Sequence, residues 1–444
     1  MSKRPHELTP AQLAVADERK RKRADQRKAR TETLFDPHRG RIVERNWVSL
    51  PRAKGDTSER RHVRIKTWNL LAQCLIRREL FPTSDCLKAA QREHMTYNEL
   101  VYGDPDILCL QEVDRLEKIL PVLEKAGYAH HYAAGPGKKH GCLIAFKSDM
   151  YSLRDHKLLL LDEQDVREQN SESARKGRSF TTKNIANLVG LTRTGRGDRQ
   201  GLIIATTHLF WHPSYTYERA RQVVVLKREV LAFRAALKAD SWPCILSGDF
   251  NFSPDDPAYS LLVGDAVLPA QEARLEASRV VHVSVDPSVP ITSSQAIPED
   301  DEGAATAEKD PDKIIVNARV AVSGDGLLST PELAKFAGGA PVRSAYDEAQ
   351  RQQATINPSF IVTCGSRYGL EGRKGFYEPQ WTSYTHYWKT VLDYIMVIDG
   401  EQSCTVTGYL QSPSTDSLEP GLPKLGVCAS DHISLMAELS WPDA

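Results

Sequence analysis

Seven short apolar runs between residues 63 and 439 constrain this chain more than any other feature: "VRIKTWN" (63–69), "DILCLQE" (106–112), "CLIAFK" (142–147), "LIIATTH" (202–208), "PCILSGD" (243–249), "VLDYIMV" (391–397) and "ISLMAEL" (433–439). Each has strand length and carries β-branched or aromatic residues. Helical periodicity lies between them. From Tyr217 onward, Val223, Leu226, Val230, Phe233 and Leu237 recur at three- and four-residue steps, which predicts one apolar face of an amphipathic helix. Pro331, near the start of "TPELAKFAG", and the stretch "SAYDEAQRQQ" predict two more helices. Strands and helices that alternate this way share one core, so the class is α/β. At 444 residues the chain fits one large domain with additions, or two modest ones.

Composition matters mainly through its unevenness. The formal net charge is zero at pH 7, yet basic residues crowd the first thirty positions and Glu299 to Asp312 is acidic. Residues 1–60 read as a basic extension, partly helical or disordered, with Thr9-Pro10 as a helix start. "ERKRKRADQRKAR" (18–30) serves equally as a solvated tail, a nuclear-import signal or an arm gripping RNA phosphates. The stretch at about 285–312, "VDPSVPITSSQAIPEDDEGAATAEKDPD", holds almost no large apolar side chains and is expected to be a disordered insertion. No apolar run is long enough to cross a bilayer, and "MSKRPHELT" has no apolar segment behind its basic residues. The eight cysteines form no CxxC pair, and Cys109, Cys142 and Cys244 lie in strand-like runs, which predicts reduced buried thiols in an intracellular protein.

The strand-like runs end on residues able to bind metal or phosphate. Asn69, Glu112 and His208 close three of them, Asp249 with Asn251 closes another, Asp393 lies inside "LDYI", and Asp431-His432 precedes the last. One Asp or Asn after a strand is ordinary turn chemistry. Repeated along a sheet, such endings would gather carboxylates at one rim, where they repel unless a cation joins them. Oxygen donors without cysteine favour a hard ion, Mg²⁺ or Mn²⁺.

"TWNLLAQ", "LCLQEVD", "GCLIAFK", "TTHLFWHP", "SGDFNFSP", "LDYI" and "SDH" occur in that order. The series resembles the motifs of the endonuclease/exonuclease/phosphatase superfamily, in its deadenylase, nocturnin and angel branch. "THLFWHP" followed by "ERARQ" is most similar to the fungal Ngl-type RNA exonucleases. The resemblance covers residue 61 to the end without the acidic insertion, so 61–444 is expected to be the catalytic domain. It implies a DNase I-like four-layer α/β sandwich, two packed mixed β-sheets flanked by helices, with the active site at one end. It also implies roles: Glu112 as the principal Mg²⁺ ligand; Asn69 beside it, holding the scissile phosphate or a water; Asp249 and Asn251 positioning or deprotonating the attacking water and binding phosphate; His208 donating to a non-bridging oxygen; Asp393 orienting His432; and Asp431 supporting the metal side.

For substrate, the resemblance sets Pro213 and Trp388 where the branch pinches or stacks a base, and Asn184 near the phosphate. Arg175, Lys176, Arg178, Lys183, Lys138, Lys139, Arg219 and Arg221 are the basic residues available to follow an RNA backbone. Leu71 stands where base-excision endonucleases carry Asp, which argues against abasic-site repair, and Phe252 stands where Ser is common, which bears on the terminal nucleotide. The expected activity is Mg²⁺-dependent 3′→5′ exoribonucleolysis to nucleoside 5′-monophosphates, in ribosomal RNA 3′-end processing or poly(A) shortening. The alternative is a metal-dependent phosphatase on a nicotinamide dinucleotide phosphate or another small phosphoester. The expected partners are RNA and ribosomal or pre-ribosomal particles, with no membrane; the protein is expected to be monomeric, in the cytoplasm, the nucleus or both.

Overall fold

Two mixed sheets stand at the centre of the computed structural model, which describes residues 40–51, 60–168, 171–195, 200–293 and 314–442. One sheet has seven strands in the order Trp47–Ser49, Thr405–Leu410, Leu435–Pro442, Arg60–Asn69, Ile107–Val113, Gly141–Lys147 and Tyr128–Ala134. The other has six: Arg343–Ser344, Asp393–Ile398, Cys244–Asp249, Gly201–His208, Ile185–Arg193 and Tyr151–Leu160. All seven apolar runs are strands of these sheets.

Alternation along each strand explains the layering. Ile65, Ile107, Cys109 and Ile144 face Val189, Ile204, Ile245 and Ile395 between the sheets. Their neighbours point outward: Trp68, Leu108, Leu110 and Leu143 pack beneath the helices Ala89–Val101 and Leu116–Lys125. Leu188, Ile203, Leu246 and Met396 pack beneath the helix Thr216–Ala236. The central strands are therefore apolar on both faces, as strands covered on both sides must be. Fully burying each such side chain contributes about 1.5–3 kcal/mol. The architecture is the expected four-layer sandwich.

Register decides where the polar strand ends go. Arg60–Asn69 runs parallel to Ile107–Val113, and Gly201–His208 runs parallel to Cys244–Asp249, with His208 opposite Asp249. Asp393 begins an antiparallel strand and also stands opposite Asp249. These polar strand ends lie at one edge of the sandwich.

Three expectations change. The sheet begins before residue 60, because Trp47–Ser49 pairs with Thr405–Leu410 and Val48 and Leu50 are buried. Residues 285–293, within the expected insertion, pack into the fold: Val289 is buried, and the Asn317 side-chain oxygen accepts the Thr292 and Ser293 amides at 2.8 and 2.9 Å. Residues 18–30 and 294–312 lie outside the described residues. The third change concerns Thr216–Ala236, whose first half is buried on every side, its polar residues Glu218, Arg219, Arg221 and Gln222 included. All eight cysteines are free; Cys109, Cys142 and Cys244 are buried in strands, while Cys74 is exposed.

Residues ahead of the first strand are tied to the core by charge. Arg45 and Lys66 converge on Glu99, and the Lys66 ammonium also donates to the carbonyls of Glu99 and Tyr102 at 2.6 and 2.7 Å. Burial pulls the Lys66 pKa down to about 8 despite the opposing pull of Glu99. Removing Glu99's charge strands two buried cations, so Glu99→Gln is expected to lower unfolding stability by about 3–5 kcal/mol. Urea denaturation checks this; an unchanged midpoint would show that the cluster contributes nothing.

Candidate active site

Asn69 organises the edge. It is the last residue of its strand and fully buried, and its Nδ2 donates to Glu112 Oε1 at 2.7 Å and to Asp249 Oδ2 at 3.0 Å. Its Oδ1 accepts the Leu71 amide at 3.0 Å, and its carbonyl accepts Ser430 Oγ at 2.7 Å. Three distant segments, those of Glu112, Asp249 and Ser430, thus meet on one residue.

Glu112 reaches this position through a distortion. The ladder between Ile107–Val113 and Gly141–Lys147 slips between Leu110 and Val113, and Glu112 adopts φ +53°. That turn brings its Oε2 to the Ala72 amide at 2.8 Å. Leu71 and Asn251 also take positive φ, +57° and +51°, although neither is glycine. Such conformations cost energy and cluster at functional sites.

Asp249 sits between two imidazoles. Its Oδ1 accepts the Asn251 amide at 3.0 Å, while Oδ2 lies 3.4 Å from His208 Nε2 and 3.6 Å from His432 Nε2. Burial raises the Asp249 pKa, against the opposing pull of His208 and His432. His432 Nδ1 is 2.8 Å from Asp393 Oδ2, and Trp68 Nε1 donates to the His432 carbonyl at 2.8 Å. Burial alone would lower the His432 pKa, but Asp393, Asp249 and Asp431 outweigh it and hold the imidazolium well above its ordinary range. Thr382 Oγ1 accepts the Leu392 and Asp393 amides at 2.8 and 3.0 Å, fixing the start of that strand. Asp431 Oδ2 is 4.0 Å from His432 Nε2. Asn184 Nδ2 holds the His208 carbonyl at 2.7 Å, and Asn251 Nδ2 holds the Leu209 carbonyl at 2.9 Å.

The donor set suits a hard divalent cation. Glu112, Asp249, Asp393 and Asp431 are four buried carboxylates beside two imidazoles, so acidic groups outnumber basic ones. Arg92, behind Asp431, spends its guanidinium on the carbonyls of Leu70, Leu71 and Ala429 and offsets this only in part. Ligand atoms of Asp249, Asp393 and His432 lie within 4.8 Å of one another. Two of these are already bonded as a pair, however, which leaves Glu112, with Asp249 across Asn69, as the better-placed carboxylate for an ion. Among the described residues, Asp393 Oδ1 is buried without a hydrogen-bond partner.

The substrate residues divide. Lys138, Lys183 and Asn184 line a cleft with Glu112, His140 and His208, and Lys139 is exposed beside it. Pro213 is exposed on the loop after His208. Trp388 is half-buried; its Nε1 donates to Ser383 Oγ at 3.0 Å, and Ser383 bridges to His432. Its ring meets Phe81 edge-on at 6.0 Å. Arg219 and Arg221 are not surface contacts for RNA. Both are internal, Arg221 donating to the carbonyls of Lys176, Leu161 and Gln164, and Arg219 to those of His212 and Pro213. Lys176 and Arg178 pair with Glu163, and Arg175 with Asp165, so that basic run is largely neutralised. Phe252 points into the core against Tyr394, 5.6 Å between ring centroids, and not toward a nucleotide.

Sequence reasoning missed Thr382, Ser430, His140 and the Ala72 amide. Ser430 stands in the quoted "SDH" and His140 in "GKKHG", where a polar residue beside a strand end was a visible signal.

The profile of the Endonuclease/Exonuclease/phosphatase family matches residues 67–432. The chain belongs to that family. Among curated family proteins it is 30% identical over 425 residues to a probable RNA exonuclease of Schizosaccharomyces pombe, covering 90% of this chain and 80% of that one. It is 26% identical over 485 residues to the RNA exonuclease NGL2 of Saccharomyces cerevisiae, covering 97% and 89%. Among solved family folds, ANGEL2, a 2′,3′-cyclic phosphatase crystallised with adenosine-2′,3′-vanadate, superposes with TM-score 0.58 at 19% identity, covering 90% of this chain and 99% of that one. The human Nocturnin catalytic domain gives 0.51 at 19% identity, covering 89% and 97%.

Proposed function

We propose that this protein is a divalent-metal-dependent 3′→5′ exoribonuclease that releases nucleoside 5′-monophosphates, in ribosomal RNA 3′-end processing or poly(A) shortening. The observation that carries the reading is the meeting of Glu112, Asp249 and, through Asp249, both imidazoles around Asn69. The choice of RNA is supported by likeness to the yeast RNA exonucleases.

Glu112, with Asn69 and Asp431 alongside, would hold Mg²⁺ or Mn²⁺, which when bound supplies charge neutralisation at the phosphate. The protein's own groups cover the rest. Asp249 would take a proton from the attacking water, with the Asn251 amide fixing the orientation of its carboxylate. His432, its Nδ1 held by Asp393, turns Nε2 toward the site and can donate there as negative charge builds on a non-bridging oxygen. His208 does the same from the opposite strand. Lys138, Lys139 and Lys183 supply positive charge where the strand would leave the cleft, and Trp388 and Pro213 flank the terminal base, a contact worth about 1–3 kcal/mol where an aromatic ring stacks.

The test is incubation of purified protein with 5′-labelled poly(A), mixed-sequence RNA, DNA and a phosphorylated dinucleotide cofactor, with Mg²⁺ or EDTA. A Mg²⁺-dependent ladder on mixed RNA supports processing, and decay confined to poly(A) supports shortening. Orthophosphate release from the dinucleotide alone would replace the reading with a phosphatase.

A further inference from the structure

Two loops leave the edge side by side, one after His208 and one after Asp249. Near the chemistry they are laced by Asn251 Nδ2 on the Leu209 carbonyl and by the Leu209 amide on the Asp249 carbonyl at 3.0 Å. Farther out, the Arg219 side chain joins them. Arg219, in the first turn of Thr216–Ala236, donates to the carbonyls of His212 and Pro213, the latter at 2.8 Å, and to Asp256 Oδ2 at 3.2 Å. Asp256 belongs to the other loop, and its second oxygen accepts the Ala258 amide at 2.9 Å, starting the helix Pro257–Val263. Arg219 and Asp256 are each only 3% exposed, whereas Pro213, whose carbonyl Arg219 holds, is exposed at the rim.

We propose that Arg219 and Asp256 form a positioning clamp that fixes the Pro213 lip relative to Asp249 and Asn251, and so sets how tightly the terminal nucleotide is held without touching the reacting atoms. The inference rests on the RNA reading above. A planar guanidinium spans these two carbonyls and the carboxylate from two nitrogens held in a fixed fork; an ammonium keeps the charge and loses the fork. Asp249 and Asn251 keep their own lacing when the outer clamp is lost, so binding should suffer before turnover.

The experiment is steady-state kinetics of the full chain on a fluorescent RNA pentamer, for wild type, Arg219→Lys and the milder Asp256→Asn, with thermal melts to confirm folding. The clamp predicts KM raised about tenfold in Arg219→Lys, with kcat within about threefold of wild type, and a smaller change of the same kind in Asp256→Asn. KM within twofold of wild type in a folded variant overturns the proposal. So does a fall in kcat as large as the rise in KM, which marks general loosening. Should Arg219→Lys fail to fold, Asp256→Asn decides by the same criteria. Wild-type protein that leaves the pentamer intact overturns the RNA reading and the clamp together, and is distinguishable because it appears before any variant is made.

Discussion

Glu112→Gln is expected to lower kcat by about 10³-fold or more while the protein stays folded. Loss of the proposed principal ligand would remove several kcal/mol of transition-state charge stabilisation, and each ~1.4 kcal/mol is tenfold in rate. The effect on stability should be small because two consequences oppose each other. Both Glu112 oxygens accept hydrogen bonds, from Asn69 and from the Ala72 amide, so the amide of a glutamine meets a donor and loses a bond worth about 1 kcal/mol. Removing one of four clustered carboxylates relieves repulsion of similar size. Kinetics with Mg²⁺, paired with melts in EDTA, separate the effects. Wild-type turnover in the variant would exclude Glu112 from the metal site, and a collapsed melt would make it a folding residue instead.

Asp393→Ala is expected to cost about 10²–10⁴-fold in kcat, the range associated with a positioned proton donor, with KM little changed. Asp393 makes no hydrogen bond across the cleft, and its Oδ2 addresses His432 Nδ1 alone. Without it the imidazole loses the partner that fixes which nitrogen faces the site. His432→Ala combined with Asp393→Ala should therefore be hardly worse than either change alone, since the two act as one unit. Independent, multiplying losses would show that they do not.

The edge was legible in the sequence because its chemistry is local to strand ends. Asn69, Glu112, His208 and Asp249 each close an apolar run, and parallel pairing carries them to one rim. The residues that read wrongly depend on contacts far away in the chain. Arg221 looks like surface charge, but the carbonyls it satisfies belong to Leu161, Gln164 and Lys176, about fifty residues upstream. Phe252 follows a site asparagine, and only the fold shows it turned toward Tyr394. The helix Thr216–Ala236 shows an apolar face in sequence, yet its polar first half is buried too, because Glu218 and Arg221 pair with each other and Gln222 is taken up by the Phe210 amide and Thr182. The strand Tyr151–Leu160 is largely exposed along its length, so it lacks the apolar run that marked the others.

The account depends on a divalent ion seated at this edge beside Glu112. Crystals soaked in Mn²⁺, with the anomalous signal of the metal mapped, test that claim most directly. The predicted result is a peak within coordination distance of the Glu112 carboxylate, on the side of Asn69 facing Asp249 and His208, and absent from Glu112→Gln crystals. A peak remote from Glu112, or none at this edge, would contradict it.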